Sequence, residues 1–281
     1  MEDRTVVGVR VSVCVPAFNA ARTIVETIGS ILEQDFADFE IVVVDNASAD
    51  GTGDLVRSFD DDRIRLYTND AVLPMAENWD RTIGLASGEL VKLVCADDLI
   101  TPNCLSAQVD ALRDPAIAVT GARFDVIDDA GTLLARSRGL TGLLGRCSSR
   151  TTLRAFVRKL PDELCPTAAF MFRRSDLATT SGFRTDFLYA MDIDLVAQLV
   201  ERGGFYGDSR VLAVNRASAF NHSSTTSTLS KLSDVLRFNH HYRRRHRDQI
   251  RAVDLLVGDG KVVRQALVRL CARVKRAIGK D

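Results

Sequence analysis

The chain has 281 residues, 46% of them apolar, with no C-x-x-C pair among six scattered cysteines, so a sizeable core is possible without disulfides or a zinc staple. The formal net charge of zero points neither toward nor away from a polyanionic partner, because it hides an asymmetry: from Arg237 onward Lys and Arg outnumber Asp and Glu 13 to 4, against 24 to 33 before it. The length suits one large α/β domain or one domain with an appendage, and no apolar run reaches the roughly 18 residues of a spanning helix.

The acidic start and the early Pro16 do not make a signal peptide, and the cysteine pattern suits a reducing compartment. Val11–Val15 reads as a strand. Ile24, Ile28, Ile31 and Leu32 then recur at helical spacing to about Gln34. A second strand is expected over Glu40–Val44, a short helix over Gly51–Ser58 and a third strand over Arg63–Tyr67. A helix over Asn78–Ala86 is expected to stop at Gly88, and a fourth strand, Leu90–Cys95, ends on Ala-Asp-Asp. The next helix runs from about Asn103 to Leu112, with Thr101 as cap and Pro102 in its first position. Strands alternating with helices of this length predict βαβ units and a parallel sheet.

Beyond Val119 the pattern loosens. A hairpin is expected around Asp-Asp-Ala-Gly (128–131), a glycine-rich loop over 139–151, and a strand entering a helix near Phe170–Leu177. The segment 192–204, DIDLVAQLVERGG, reads as a helix with an acidic first turn and a glycine stop, and 218–230 as polar and irregular.

The acids at the strand ends carry the chemistry. In VVVDNASADGT, Val42 to Thr52, a β-branched strand ends on Asp45 and is followed by turn formers. Ligands of open α/β sheets bind at the carboxyl ends of strands. Asp97 and Asp98 end another strand, and Asp192 and Asp194 open a later helix. Adjacent carboxylates there suit a hard divalent cation that reaches a substrate diphosphate, the more so because the sequence has no dinucleotide-binding glycine fingerprint and no Walker lysine loop. Each acid taken alone is a common cap or solvated loop charge. Their order and spacing on one α/β frame are what point to a site.

VSVCVPAFNAARTIVETIGSILEQDFADFEIVVVDNASADGT and NWDRTIGLASGELVKLVCADD resemble the opening motifs of glycosyltransferase family 2, nucleotide-sugar-dependent enzymes of GT-A fold. The resemblance is dense over Val11 to about Leu112, thinner over Ala168–Gly204, and fades beyond about Ser227. It implies a GT-A-like, mostly parallel sheet flanked by helices, with a helical C-terminal extension. The domain would occupy 1–230, its nucleotide-binding half about 8–115 and its acceptor half about 116–230, with 231–281 as the basic extension. By the same resemblance Pro16, Ala17 and Asn19 line the nucleotide pocket, Asp45 accepts a hydrogen bond from the base, and Asn46 and Ser48 flank it. Asp97 would face the sugar side and Asp98 would hold Mg²⁺ or Mn²⁺. Cys95 stands where the family often has a further Asp. Asp192 matches the base of an inverting transfer, with Met191 in place of an acid often found before it and Asp194 as the alternative base. His222 resembles a late histidine that approaches the metal or diphosphate.

The resemblance further implies a UDP-, GDP- or dTDP-sugar donor and a glycan or lipid-linked acceptor of cell-surface polysaccharide or glycolipid synthesis. Past Arg237, Val263, Leu267, Leu270, Val274 and Ile278 recur at steps of three and four among Arg and Lys, as in a helix packed on the domain or a basic helix lying on an anionic membrane. A cytoplasmic protein, peripheral to the inner face of the membrane, is the matching location. No nucleic-acid module accompanies the basic cluster, and His240, His241 and His246 read as a solvated helix face. Two rivals are a nucleotidyltransferase, for which VPAFNAART offers only Arg22 as a basic loop residue, and a nucleotide-sugar-binding protein with degenerate catalysis, to which Cys95 and Met191 lend weight.

Overall fold

The structure, a computed structural model, describes residues 9–164, 166–218 and 226–278, with side chains as far as Val268. Its first half runs β1 (Val11–Ala17), α1 (Ile24–Leu32), β2 (Phe39–Asp45), α2 (Thr52–Arg57), β3 (Ile64–Thr68), α3 (Met75–Gly84), β4 (Leu90–Leu93) and the two-residue β5 (Leu99–Ile100). Every residue of β1 and β2 is buried, which is why both are mainly apolar rather than alternating, with Ser12 and Glu40 as buried polar exceptions within them: helices cover both faces of a parallel sheet. β1 pairs in parallel with β2 on one side and β4 on the other, and β3 extends the sheet beyond β2. The register places Ala17 beside Asp45 and Asp45 beside Thr68, so the carboxyl ends of these strands share one edge.

The second half runs α4 (Cys104–Leu112), β6 (Ile117–Ile127), β7 (Leu133–Arg138), β8 (Gly145–Cys147), α5 (Ser149–Arg158), β9 (Met171–Arg173), α6 (Arg174–Leu177), α7 (Met191–Val200), β10 (Gly204–Arg216), α8 (Thr228–Arg245) and α9 (Ala252–Ile278). Strand order is β3-β2-β1-β4-β9-β6-β10-β5, with β7 on β6 and β8 on β10. β9 runs antiparallel to both β4 and β6, so the sheet is parallel on one side of it and mixed on the other. No helix among the described residues is long and apolar enough to cross a membrane.

Two buried charges join elements across the sheet. The Lys92 ammonium, fully buried on β4, donates to Gln108 Oε1 on α4 at 2.8 Å and to the carbonyls of Ala168 and Phe170, tying the segment before β9 to the parallel half. Glu40 on β2 accepts from Ser12 Oγ, from Ser87 N and Oγ, and from Arg65. Burial works against its ionisation, yet these donors outweigh that and bring it from the ordinary 4.5 down to about 2.

Several expectations change. α3 ends at Gly84, not at Gly88. Gly88 is instead required by close approach to β1, since a Cβ there would lie 2.7 Å from the Ser12 nitrogen. Asn103, not Thr101, is the N-cap residue of α4, and Pro102 precedes the helix. The hairpin stands as read, β6 and β7 pairing antiparallel. The glycine-rich loop, however, contains β8 and runs into α5, whose N-cap Ser148 accepts from Thr151 N at 3.2 Å. β10 was not legible, because Asp208 and Arg210 interrupt its apolar pattern at a shift in register. The basic tail is two helices rather than one, and together with Leu160 and Tyr189 they enclose a small second core around Leu232, Val235 and Val262. Two of its histidines are engaged rather than solvated, His246 bonding Glu201 at 2.8 Å and His241 packing against Phe187, while His240 is exposed as expected and bonds Asp259 at 3.0 Å.

Because the folded-state value of Glu40 lies below the ordinary one, folding favours its ionised form. That contribution is complete above about pH 4.5 and disappears as the pH falls toward 2. Glu40→Gln is therefore expected to lower stability at neutral pH and to flatten the fall in stability across that interval, as read by urea unfolding at a series of pH values.

Candidate active site

Two turns at the carboxyl ends of β1 and β2 are laced together. Asn19 and Ala47 both adopt left-handed backbone, φ +47° and +53°, a strain that non-glycine residues hold only when neighbours fix them. Here the Asn19 amide donates to Ser48 Oγ at 2.8 Å, and Asn19 Oδ1 accepts from Ala49 N at 3.0 Å. Asp50 accepts from Ala21 N and from Thr52, and Thr52 Oγ1 in turn accepts from Ala20 N. Pro16 and Ala17 are the last two residues of β1, and the Ala17 carbonyl accepts from Asn46 N at 2.8 Å.

Asp45 ends β2 with its carboxylate nearly buried; Oδ1 accepts from Ser48 N at 3.1 Å, and a Cβ on Gly53 would meet Oδ2 at 2.7 Å. Gly53 thus leaves room for that carboxylate. Asn46 turns the other way: its side chain holds Leu73 through both N–H and C=O and accepts from Asn69 at 2.7 Å. Asn46 is therefore a brace for the 69–73 loop.

Asp97 and Asp98 lie in the turn between β4 and β5, where Asp98 N donates to the Cys95 carbonyl. Asp98 is buried, and its Oδ1 accepts from Asn215 Nδ2 and Arg216 N, both at 3.0 Å, at the end of β10. Arg216, itself 2% exposed, also donates to the Asp97 carbonyl and the Asp128 carbonyl and pairs with Glu26 on α1. One arginine thereby joins the acidic turn, the β6–β7 turn and α1. Burial, and then the adjacent Asp97, push the Asp98 carboxyl well above its usual range; burial likewise raises Asp97, with Asp129 of the hairpin turn adding to the effect.

Cys95, Asp97 and Asp98 offer ligand atoms within 4.8 Å of one another. Burial pushes the Cys95 thiol up, so it stays protonated, and a soft thiol is a poor ligand for a hard cation. The two carboxylates are the donor type that Mg²⁺ and Mn²⁺ take, and two crowded, desolvated acids gain most from a cation between them. The residues present fit such an ion through Asp97 and Asp98, with Cys95 beside it.

The first turn of α7 separates its two acids. Asp194 is fully buried, held by Arg184 through both oxygens and by Gln198 and Tyr242 at 2.9 Å each. Asp192 is half-buried and accepts from Ile193 N at 2.8 Å. His222 lies outside the described residues. Sequence reasoning missed Asn215 and Arg216, because they end the strand that was not read, and Phe18, which is 52% exposed at the lip of the β1 turn and whose one available signal was an aromatic placed between Ala17 and Asn19.

The family model for glycosyl transferase family 2 matches residues 12–180. Over 119 residues the chain is 31% identical to the Escherichia coli UDP-Glc:alpha-D-GlcNAc-diphosphoundecaprenol beta-1,3-glucosyltransferase WfgD, a match spanning 42% of this chain and 47% of that protein, so about half of the relative's length. In fold it is similar to S. aureus TarS in complex with UDP-GlcNAc, with TM-score 0.65 at 19% identity over 83% of this chain and 66% of that one. It is also similar to the mannosyltransferase PcManGT from Pyrobaculum calidifontis in complex with GDP-Man and Mn²⁺, with TM-score 0.60 at 22% identity over 87% of this chain and 66% of that one. These likenesses identify the fold as GT-A-like.

The contrast within α7 has a measurable consequence. Asp194→Ala strands the Arg184 guanidinium and is expected to cost about 3–5 kcal/mol in urea unfolding, whereas Asp192→Asn is expected to change stability by less than about 1 kcal/mol.

Proposed function

The chain belongs to glycosyltransferase family 2, and from that premise we propose that it moves a sugar, with inversion, from a nucleotide-diphosphate sugar to a hydroxyl acceptor. The observation that carries this reading is the set of acids at the carboxyl edge of the parallel strands, Asp45 ending β2 and the adjacent Asp97 and Asp98 past β4, where an open α/β sheet binds its ligand.

In this reading Pro16, Ala17 and Asn19 border the nucleotide, with Ser48 fixing the Asn19 turn and Asn46 holding the far wall. The exposed Phe18 ring offers a stacking face to the base, and the Asp45 carboxylate accepts from the base edge. Asp97 faces the sugar side. Asp98, with Asp97 adjacent, would hold Mg²⁺ or Mn²⁺, which when bound supplies positive charge to the departing diphosphate. Asp192 takes the acceptor hydroxyl proton as that oxygen attacks the anomeric carbon. Asp194 serves the fold rather than the proton, since both its oxygens are committed to Arg184 and its neighbours. If His222 approaches the diphosphate, it does so from the segment that follows Arg216.

The E. coli relative's diphosphoundecaprenol substrate supports a lipid-linked acceptor in polysaccharide assembly. A cytoplasmic enzyme, peripheral to the inner face of the membrane through its basic C-terminal helix, matches that acceptor. The domain proper would then be 1–230 and the extension 231–281.

Titration calorimetry with UDP, GDP and dTDP, each with and without Mn²⁺, tests the donor side. Binding of one diphosphate is expected, strengthened by Mn²⁺ and weakened at least about tenfold in Asp98→Ala. No binding of any would count against the donor site itself, and so against the nucleotide-sugar-binding rival as well; binding without transfer would move that rival ahead. Once a donor is known, Asp192→Asn is expected to reduce turnover by about 10²-fold or more while nucleotide affinity stays within about twofold; near-normal turnover would remove Asp192 from the role of base.

A further inference from the structure

The C-terminal helix α9 has two faces of opposite fate. Inward, Asp254 is fully buried and held by Arg154 at 2.9 and 3.1 Å and by Arg158 at 3.0 Å. Gly258 lies so close to the Val157 carbonyl that no Cβ would fit, Lys261 pairs with Glu163 at 2.8 Å, and Val262 is 2% exposed. These contacts fix α9 on α5 and α8, and with it the direction of the opposite face.

That opposite face is apolar and exposed. Val253, Leu256, Val263 and Leu267 are 51, 71, 55 and 57% exposed. They follow one another at steps of three and four once Gly260, which has open space around it, is counted in the row. By sequence the same steps reach Leu270, Val274 and Ile278. Such a row is unusual for a domain surface, where large aliphatic side chains are scattered.

The charges beside the row say what covers it. Between Gly260 and Lys280 the chain has seven Lys and Arg and no Asp or Glu. The helix's own two acids, Asp254 and Asp259, are engaged elsewhere, Asp259 with Asn239 and His240 of α8. A second copy of the chain laid along this face would bring basic rows together with no acid between them. An anionic lipid surface answers both features at once, taking the aliphatic row at the headgroup boundary and the bases at its phosphates.

We infer that α9 docks on an anionic bilayer through the outward row Val253, Leu256, Val263 and Leu267, lying in the plane of the membrane while its inward face stays on the domain. This deepens the peripheral-membrane reading above and rests on it for the acceptor. Its test reads lipid binding alone, so it can fail while nucleotide binding succeeds, and the reverse.

The experiment is co-sedimentation of the full chain with vesicles of phosphatidylcholine alone and of phosphatidylcholine with about one phosphatidylglycerol in four. Wild type is expected to bind the anionic vesicles and to bind the neutral ones at least about tenfold more weakly. Leu256→Asp/Leu267→Asp, on exposed positions, is expected to lose at least about tenfold in affinity for the anionic vesicles. The Leu256→Gln/Leu267→Gln pair, which adds no charge, should lose binding in the same direction, and an unchanged melting temperature in either pair shows that the fold is kept. Equal sedimentation of wild type and both variants would overturn the inference, as would no binding to either vesicle. Equal binding to both vesicles would overturn the anionic part. Concentration-dependent dimerisation in ultracentrifugation, abolished by the same variants, would assign the row to a second copy instead.

Discussion

A buried carboxylate holds the two halves of this molecule in register. Asp98 belongs to the parallel half by sequence, two residues past the end of its last apolar run, yet its hydrogen-bond donors, Asn215 and Arg216, come from the end of β10 far along the chain. A desolvated acid is costly unless donors converge on it. The chain supplies them from the mixed half, and Arg216 carries the connection on to α1 and the hairpin turn. The acidic turn, the hairpin and the first helix of the parallel half are therefore fixed with respect to one another by a single cluster of polar contacts.

The same logic of mutual satisfaction shapes the other side of the site. The β1 and β2 turns each contain a residue in left-handed backbone, and each supplies the partner that keeps the other there. Strain of this kind, of order 1 kcal/mol or more per residue, persists where the surroundings over-determine it. What it achieves is a rigid rim carrying Phe18, Asn19 and Asp45, set before any ligand arrives. Pre-organised groups lose less on binding, which suits the nucleotide site proposed for this rim.

The α7 acids show how two side chains of one type, two positions apart, come to different surroundings. Asp194 is surrounded by Arg184, Gln198 and Tyr242, so α8, which provides Tyr242, is clamped to the helix that carries Asp192. The C-terminal helices thus brace α7 directly. Their inward contacts combine buried ion pairs with a small apolar core, whereas the outward row on α9 is aliphatic and exposed.

The parallel half was legible because its signals are local. β-branched runs buried on both faces, helical spacing between them and turn formers after them identified the elements up to α4, apart from the two-residue β5, to within a few residues; family motifs drew attention to Asp45, Asp97 and Asp98 on the same segment and to Asp192 in the thinner match farther along. Local signals failed where a strand is interrupted, as in β10 at Asp208 and Arg210, and where a glycine serves a distant neighbour, as Gly88 serves Ser12. The resemblance favours Asp192 over Asp194 as the base, but the bracing of Asp194 was closed to the sequence: two acids two positions apart look alike until Arg184 and Tyr242 bury one of them. The sequence by itself determined the βαβ frame, the acids at its edge and the basic, periodic tail, because propensity, periodicity and charge act over a few neighbouring residues. Only the tertiary structure decided which acid is braced, which strand end holds Asp98 and which face of the last helix is left bare, because burial and hydrogen-bond satisfaction are settled between residues as far as 190 positions apart.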